Sequence, residues 1–407
     1  KFKVACRNLD VKPSSVLRNL VQDFVHSSTG HSIAKNRSSA EGEKEQTLNK
    51  WFTIGEMYCG PGGLGLAAKN ARVELGSAVY RFKHAWATDY DADSCMTYQN
   101  NVLWDEPGAQ MICDEIANVR LDHLPKVDGF LYGFPCNDFS NVGETKGLRG
   151  KFGPLYSYGV EYINYANPKF IFAENVSGLS NANAGYAFKK IVSELSEAGQ
   201  FGYNLKTHLY KFEEYGIPQA RHRYIIVGLR KDLGLNFRIP KPGMVQRNSR
   251  DALQVPPIPP NAPNQEYTRQ SQMVIERLNH IRPGQNAWKA DLPNNLRLNV
   301  RGAKLSMIYK RLDPAKPSYT ITGSGGGGTH VYHWDEPRAL TNRERARLQT
   351  FPDDFHFFGS KESVRKQIGM AVPVDGAQII LEAILMTLAG KSYDFVEPNV
   401  QLNLPLG

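Results

Sequence analysis

Cysteine is scarce in this 407-residue chain: there are five, Cys6, Cys59, Cys95, Cys113 and Cys136. The number is odd and no two form a C-x-x-C pair, which argues against a disulfide framework and against a zinc site. Free thiols fit a reducing compartment. No apolar run is long enough to cross a bilayer and no signal-peptide pattern opens the sequence, so a cytoplasmic protein without a membrane partner is expected. The ten histidines contain no H-x-x-x-H pair, and no metal is expected. Acidic residues are thin in one stretch. Between Lys231 and Lys310 stand 13 Lys and Arg against 5 Asp and Glu, so nearly all of the chain's net +9 sits in about a fifth of its length. Such a block suits a polyanionic partner, because each neutralised phosphate releases condensed counterions; the bland alternative is a soluble basic surface.

What is present is ordinary for a globular protein, with 41% apolar and 22% charged residues. Residues 1–50 form an extension. Within it, Val16, Leu17, Leu20, Val21, Phe24 and Val25 fall at helical spacing, and a polar link runs from Ser27 to about Gln46. From Trp51 short apolar strands alternate with helices. Strands are predicted at Phe52–Tyr58, Ala85–Asp89, Gln110–Cys113, Gly129–Phe134 and Phe170–Ala173. Helices are predicted at Leu64–Ala71, Ser94–Asn101, Gly159–Ala166 and Tyr186–Ala198. This order implies an α/β fold, a doubly wound and mostly parallel sheet. Leu205–Phe212 and Tyr224–Leu229 lack an intervening helix and suggest an antiparallel addition at the edge. Residues 231–310 lose periodicity; ten of the 24 prolines fall between Pro240 and Pro314. A smaller irregular domain is expected there, with residues 311–407 returning to the first, residues 51–230. Thr341 and Glu344 form a capping box, and an apolar helix is expected at Gly376–Ala389.

Chemistry concentrates at the predicted strand ends. Gly60, Gly62, Gly63 and Gly65 follow the first strand and open a helix, so the backbone there can approach a ligand. No Gly-Lys-Ser/Thr follows, which excludes a phosphate loop; a dinucleotide remains possible. Asp89 ends the second strand, where a carboxylate can take both hydroxyls of a ribose. Beside it Tyr90 offers a ring face, Asp114 after the third strand could accept from an exocyclic amine, and Glu56 could meet a cationic amine. A sulfonium amino acid carrying adenosine satisfies all four. Each acid alone reads as a solvated strand end. Cys136, in Gly133-Phe134-Pro135-Cys136, follows the fourth strand. A lone cysteine is more often a small buried hydrophobe, but the turn around it argues for exposure. Glu174, in Glu174-Asn175-Val176, ends the fifth strand and should face Cys136. Alternation places Arg221 and Arg223 on one face of the next segment.

Taken in order, these motifs resemble the bacterial cytosine-5 DNA methyltransferases. They are Gly60–Gly65, Pro135-Cys136, Glu174-Asn175-Val176 and Gln219-Ala220-Arg221-His222-Arg223, then Arg311-Leu312-Asp313-Pro314 with Pro317-Ser318-Tyr319-Thr320, and Arg338 to Pro352. The resemblance covers roughly residues 51 to 390, apart from the basic block. It implies an S-adenosylmethionine-dependent methyltransferase fold with a target-recognition domain at 231–310. It also implies transfer of a methyl group to carbon 5 of a flipped-out cytosine in duplex DNA, within a restriction-modification system that includes a cognate endonuclease, by a protein acting as a monomer. Cys136 would be the nucleophile, Glu174 the acid partner, Arg223 the clamp on the exocyclic oxygen, and Arg221 the support of the loop or a phosphate. Tyr58, Leu64, Glu115, Ile116, Phe134, Pro135, Ala371 and Val372 join Glu56, Gly60, Gly62, Gly63, Asp89, Tyr90 and Asp114 in the implied donor site. In two places the chain departs from the family pattern. Met370 stands where the last motif usually has asparagine, and Glu56 where many relatives carry aspartate. An RNA cytosine-5 methyltransferase and a non-enzymatic repressor with the same fold are the rival readings.

Overall fold

A computed structural model describes residues 48–134, 155–176, 186–243, 245–299, 305–326 and 328–400. From Thr47 onward the chain is one compact unit. The helix expected at Pro13–Val25 and the Pro135-Cys136 motif lie outside the described residues.

The centre is an open sheet. Its strands are β1 (Leu48–Met57), β2 (Arg72–Leu75), β3 (Ala78–Asp89), β4 (Gln110–Cys113), β5 (Gly129–Tyr132), β6 (Phe170–Val176), β7 (Tyr203–Lys211), β8 (Gln219–Ala220) and β9 (His222–Arg230), with β8 outside it. The order is β3-β1-β5-β6-β9-β7. On the outer edge of β3, β2 pairs antiparallel with the first four residues and β4 parallel with the last four. Pairing is parallel from β4 through β6. β9 runs antiparallel to both β6 and β7. The expected late pair is thus present, but the reversed strand is inserted second from the edge. A central strand is buried on both faces, which is why Phe170-Ile171-Phe172-Ala173 is an unbroken apolar run. The β2–β3 hairpin was not legible, because β3 begins seven residues before the expected strand.

Helices α1 (Gly63–Asn70), α2 (Ala92–Asn101), α3 (Tyr156–Ala166) and α4 (Tyr186–Glu197) connect the strands. Asp91 caps α2 by accepting from Ser94 N at 2.9 Å. Short helices α5 (Ser249–Gln254) and α6 (Gln272–Asn279) punctuate the irregular region. Then follow α7 (Asn342–Leu348), α8 (Lys361–Met370) and α9 (Val374–Ala389). The expected capping box opens α7: Thr341 Oγ1 accepts from Glu344 N, and Glu344 Oε2 accepts from Thr341 N at 2.7 Å. α9 packs on α1 and β2, burying Ile380, Leu381, Ile384 and Leu385 completely.

The irregular region has its own small core of Leu278, Ile281, Ala287, Leu292, Ile308, Tyr309, Tyr332 and Ala339. That core draws on residues beyond Lys310. Arginine holds it together. Arg311 donates to the carbonyls of Leu278, Ile281 and His333. Arg343, fully buried, donates to those of Pro263 and Pro352. Buried Arg277 donates to Leu296 O and packs on Tyr309. Part of the chain's positive charge therefore satisfies loop carbonyls that no regular structure could pair.

Candidate active site

The open sheet changes winding direction at β1, and the crevice beyond the carboxyl ends of β1 and β5 is where such sheets receive ligands. The glycine turn lies there. Gly62 caps α1 with φ of 98°, a left-handed conformation costly for any side chain. A Cβ on Gly63 would stand 2.4 Å from Val372 O, so Gly63 lets Ala371-Val372 lie directly on the turn. Gly60, φ 52°, faces open space and donates its N–H to Asp89 Oδ2 at 2.8 Å. Tyr58 also takes positive φ, and its hydroxyl donates to Leu155 O at 2.8 Å, which ties the turn to α3. Leu64 and Ile116 are buried.

The expected acids separate into two kinds. Asp89 sits at the crevice edge, accepting also from Asp91 N at 3.0 Å; burial pushes its carboxyl up, and these backbone donors oppose the shift. Asp114 N donates to Asp89 O at 3.0 Å, so the two strand ends are adjacent. Asp114 itself is exposed and accepts from Glu115 N and Asn118 Nδ2. Tyr90 is 59% exposed, with Lys366 Nζ 5.9 Å from its ring centre and 3.8 Å from Asp91. Glu56 is different and corrects the expectation. It is 2% exposed, lies beneath the turn against Gly65, and shares a 2.7 Å hydrogen bond with Tyr98. Loss of hydration pushes its carboxyl up to about 8, against the Tyr98 bond and with help from the charge of Asp89. A carboxyl so placed packs beneath the turn and is held there by Tyr98. Tyr98, which no sequence signal singled out, is its partner.

A group made of a ribose, a purine and a charged tail fits this cradle. Open space stands over Gly60, one carboxylate rims it, an aromatic face is exposed beside that carboxylate, and a second carboxylate follows. The exposed side chain of Met370 ends α8 just before the Ala371-Val372 segment.

On the other side of the crevice Glu174 and Arg223 meet. Arg223 Nε lies 2.8 Å from Glu174 Oε1, and both side chains are mostly buried. The register explains the pairing: Val176 is the partner of Arg223 across β6 and β9, so Glu174 lies two residues along the same face. Glu174 Oε2 is 3.5 Å from where a Cβ would stand on Gly133, three residues before Cys136. Asn175 Nδ2 donates to the carbonyl of buried Phe134 at 3.1 Å, fixing the chain just ahead of Pro135.

Arg221 does not share a face with Arg223. It lies between β8 and β9, where strand alternation is broken, and is 1% exposed. Its guanidinium donates to Ile321 O and Gly369 O, each at 3.0 Å. Gln219 works beside it, accepting from Ile321 N and donating to Leu348 O and Gln349 Oε1. These two bonds tie the segments of Ile321 and Gly369 together, which is the loop-supporting one of the two roles expected for Arg221.

The parallel sheet with its one reversed inner strand, the glycine turn after β1 and the acids ending β3 and after β4 define the S-adenosylmethionine-dependent methyltransferase fold. Within that class the chain belongs to the C-5 cytosine-specific DNA methylase family, whose model matches residues 52–386. It is 54% identical over 349 residues to Type II methyltransferase M.BbvI of Brevibacillus brevis, covering 84% of this chain and 93% of that protein. It is 37% identical to Type II methyltransferase M.NgoFVII of Neisseria gonorrhoeae, covering 85% and 89%. Among solved structures, the Entamoeba histolytica methyltransferase EhMeth superposes with a TM-score of 0.57 at 15% identity. The match covers 83% of this chain and 98% of the other, a likeness of fold.

Proposed function

We propose that this enzyme takes its methyl group from S-adenosylmethionine, forms a covalent adduct between Cys136 and a flipped-out cytosine, and serves as the modification member of a restriction-modification system. The observation that carries the reading is the Glu174–Arg223 pair beside Gly133. The pair offers an acid and a fixed cation to one edge of a cytosine, whose amine, ring nitrogen 3 and exocyclic oxygen stand in a row. Cys136, three residues on, is the nucleophile for ring carbon 6. Its thiolate adds there while Glu174 hydrogen-bonds or protonates nitrogen 3 and Arg223 holds the oxygen. Carbon 5 becomes the nucleophile for methyl transfer. Loss of the carbon-5 proton to water and expulsion of the thiolate then restore the ring. The base is reached by flipping, since a stacked ring is closed to attack from its face.

S-adenosylmethionine, when bound, supplies an electrophilic methyl group. Asp89 would hold its ribose, Tyr90 its adenine ring and Asp114 its exocyclic amine. The glycine turn and Ala371-Val372 would hold the rest. Residues 231–310 would read the duplex sequence, and residues 51–230 with 311–407 would carry the catalytic unit. Likeness to type II methyltransferases along most of their length supports the restriction-modification role; a cognate endonuclease and a monomeric, cytoplasmic protein belong to the same reading.

The test is transfer of label from S-adenosylmethionine to duplex DNA or to tRNA, with trapping on DNA containing 5-fluorocytosine. We expect label in DNA and a covalent complex, both abolished by Cys136→Ser. Label in tRNA alone would overturn the DNA reading. Continued methylation by Cys136→Ser would overturn the covalent mechanism.

A further inference from the structure

Arg345 of α7 and Arg365 of α8 are buried, and both border His330, beneath the loop Thr322–Gly326. Arg345 is 1% exposed; its Nη2 lies 3.4 Å from His330 Nδ1, while its Nε and Nη1 have no hydrogen-bond acceptor among the described residues. Among the described residues Arg365 Nε is likewise without an acceptor, and the acid paired with this side chain is the exposed Glu362 at 3.9 Å. Glu344, next to Arg345 in sequence, is committed to Arg338 and to the Thr341 backbone. Arg345 is thus buried without a counter-ion among the described residues, and Arg365 has only the exposed Glu362; buried cations so placed cost folding free energy that a bound anion would offset.

The loop above is built to pass that charge outward. A Cβ on Gly325 would stand 2.6 Å from Arg365 Nε and 3.0 Å from His330 Nδ1, so backbone rests directly on the guanidinium. Gly369 in turn packs against the backbone of Thr322 and Gly323, which holds the loop on α8. The exposed hydroxyls of Thr322 and Ser324, 2.9 Å apart, add donors at the surface. Burial pushes His330 down to about 4, helped by the two arginines, so its ring is neutral and adds no charge of its own.

We propose that Arg345 and Arg365 together charge the Thr322–Gly326 loop to receive an oxyanion, a phosphodiester of the DNA backbone. This rests on duplex DNA being the substrate. A donor carboxylate has the same chemistry, and α8 leads from Arg365 to the donor side of the crevice. The exposure of Thr322, Ser324 and Gly326 favours the larger polyanion.

Binding of a mixed-sequence 30-base-pair duplex without donor, across a salt series, tests the assignment in the wild type, Arg345→Met, Arg345→Lys and Arg365→Met. S-adenosylmethionine affinity without DNA and thermal midpoints are measured alongside. Each Met variant should bind DNA about tenfold or more weakly, with the slope of log K against log salt reduced by about 1. Its midpoint should be unchanged or higher and its donor affinity unchanged. Arg345→Lys should retain most of the binding. Wild-type DNA affinity and slope in both Met variants would overturn the assignment. So would a loss confined to donor affinity, which marks a carboxylate site, or a weakening that only tracks a fall in midpoint. A wild type that binds no duplex would overturn the DNA reading as well.

Discussion

Glu56→Gln should make the enzyme more stable, and by an amount that grows with pH. Glu56 is buried beneath the glycine turn, and its carboxyl rises from 4.5 to about 8. Between those values the folded chain holds a proton that the unfolded chain has released. The contribution of Glu56 is therefore fully present below pH 4.5 and is lost as pH rises through 8. At about 1.4 kcal/mol per pH unit the loss is on the order of 3 kcal/mol at pH 7 and 5 kcal/mol above pH 8. Glutamine keeps an acceptor for Tyr98 and cannot ionise, so it escapes the loss. Urea unfolding of both proteins without donor, at pH 5, 7 and 8.5, measures the difference. We expect nearly equal stability at pH 5 and a variant more stable by several kcal/mol at pH 8.5, about 3 or more. A difference that does not change with pH would refute the buried, uncompensated carboxyl. A variant less stable at pH 8.5 would show that Glu56 ionises with a favourable partner.

Gly63→Ala would drive a methyl group into Val372 O. An overpacking cost of about 1–3 kcal/mol at the turn should weaken S-adenosylmethionine about tenfold or more while leaving duplex binding intact, as calorimetric titration would show. Arg221→Lys keeps the charge but cannot reach Ile321 O and Gly369 O together. A loss of about 2–3 kcal/mol in urea unfolding is expected. Glu174→Gln removes the acid and breaks the ion pair with Arg223. We expect kcat to fall about 100-fold or more with little change in duplex affinity, measured by label transfer and by anisotropy.

Much of this enzyme could be read from the order of its residues. Strand ends are marked by a change from apolar runs to Gly, Asp or Glu, and ligand crevices lie at such ends. The glycine turn, Asp89, Asp114 and Glu174 could therefore be placed along the chain before any coordinates. The capping box at Thr341 and Glu344 was legible for the same reason, since its bonds span three residues. Pairings between distant segments were not legible. Periodicity put Arg221 with Arg223, but the break between β8 and β9 sends one to Gly369, 148 residues away, and the other to Glu174. Glu56 read as a cleft acid until Tyr98, 42 residues on, closed over it. The basic excess of the irregular region read as surface, yet Arg277 is buried, and Arg311 and Arg343 nearby are spent on loop carbonyls. Local sequence sets backbone conformation and which residues reach a strand end. Burial and partners follow from which segments the sheet brings together, and only the tertiary structure decided those.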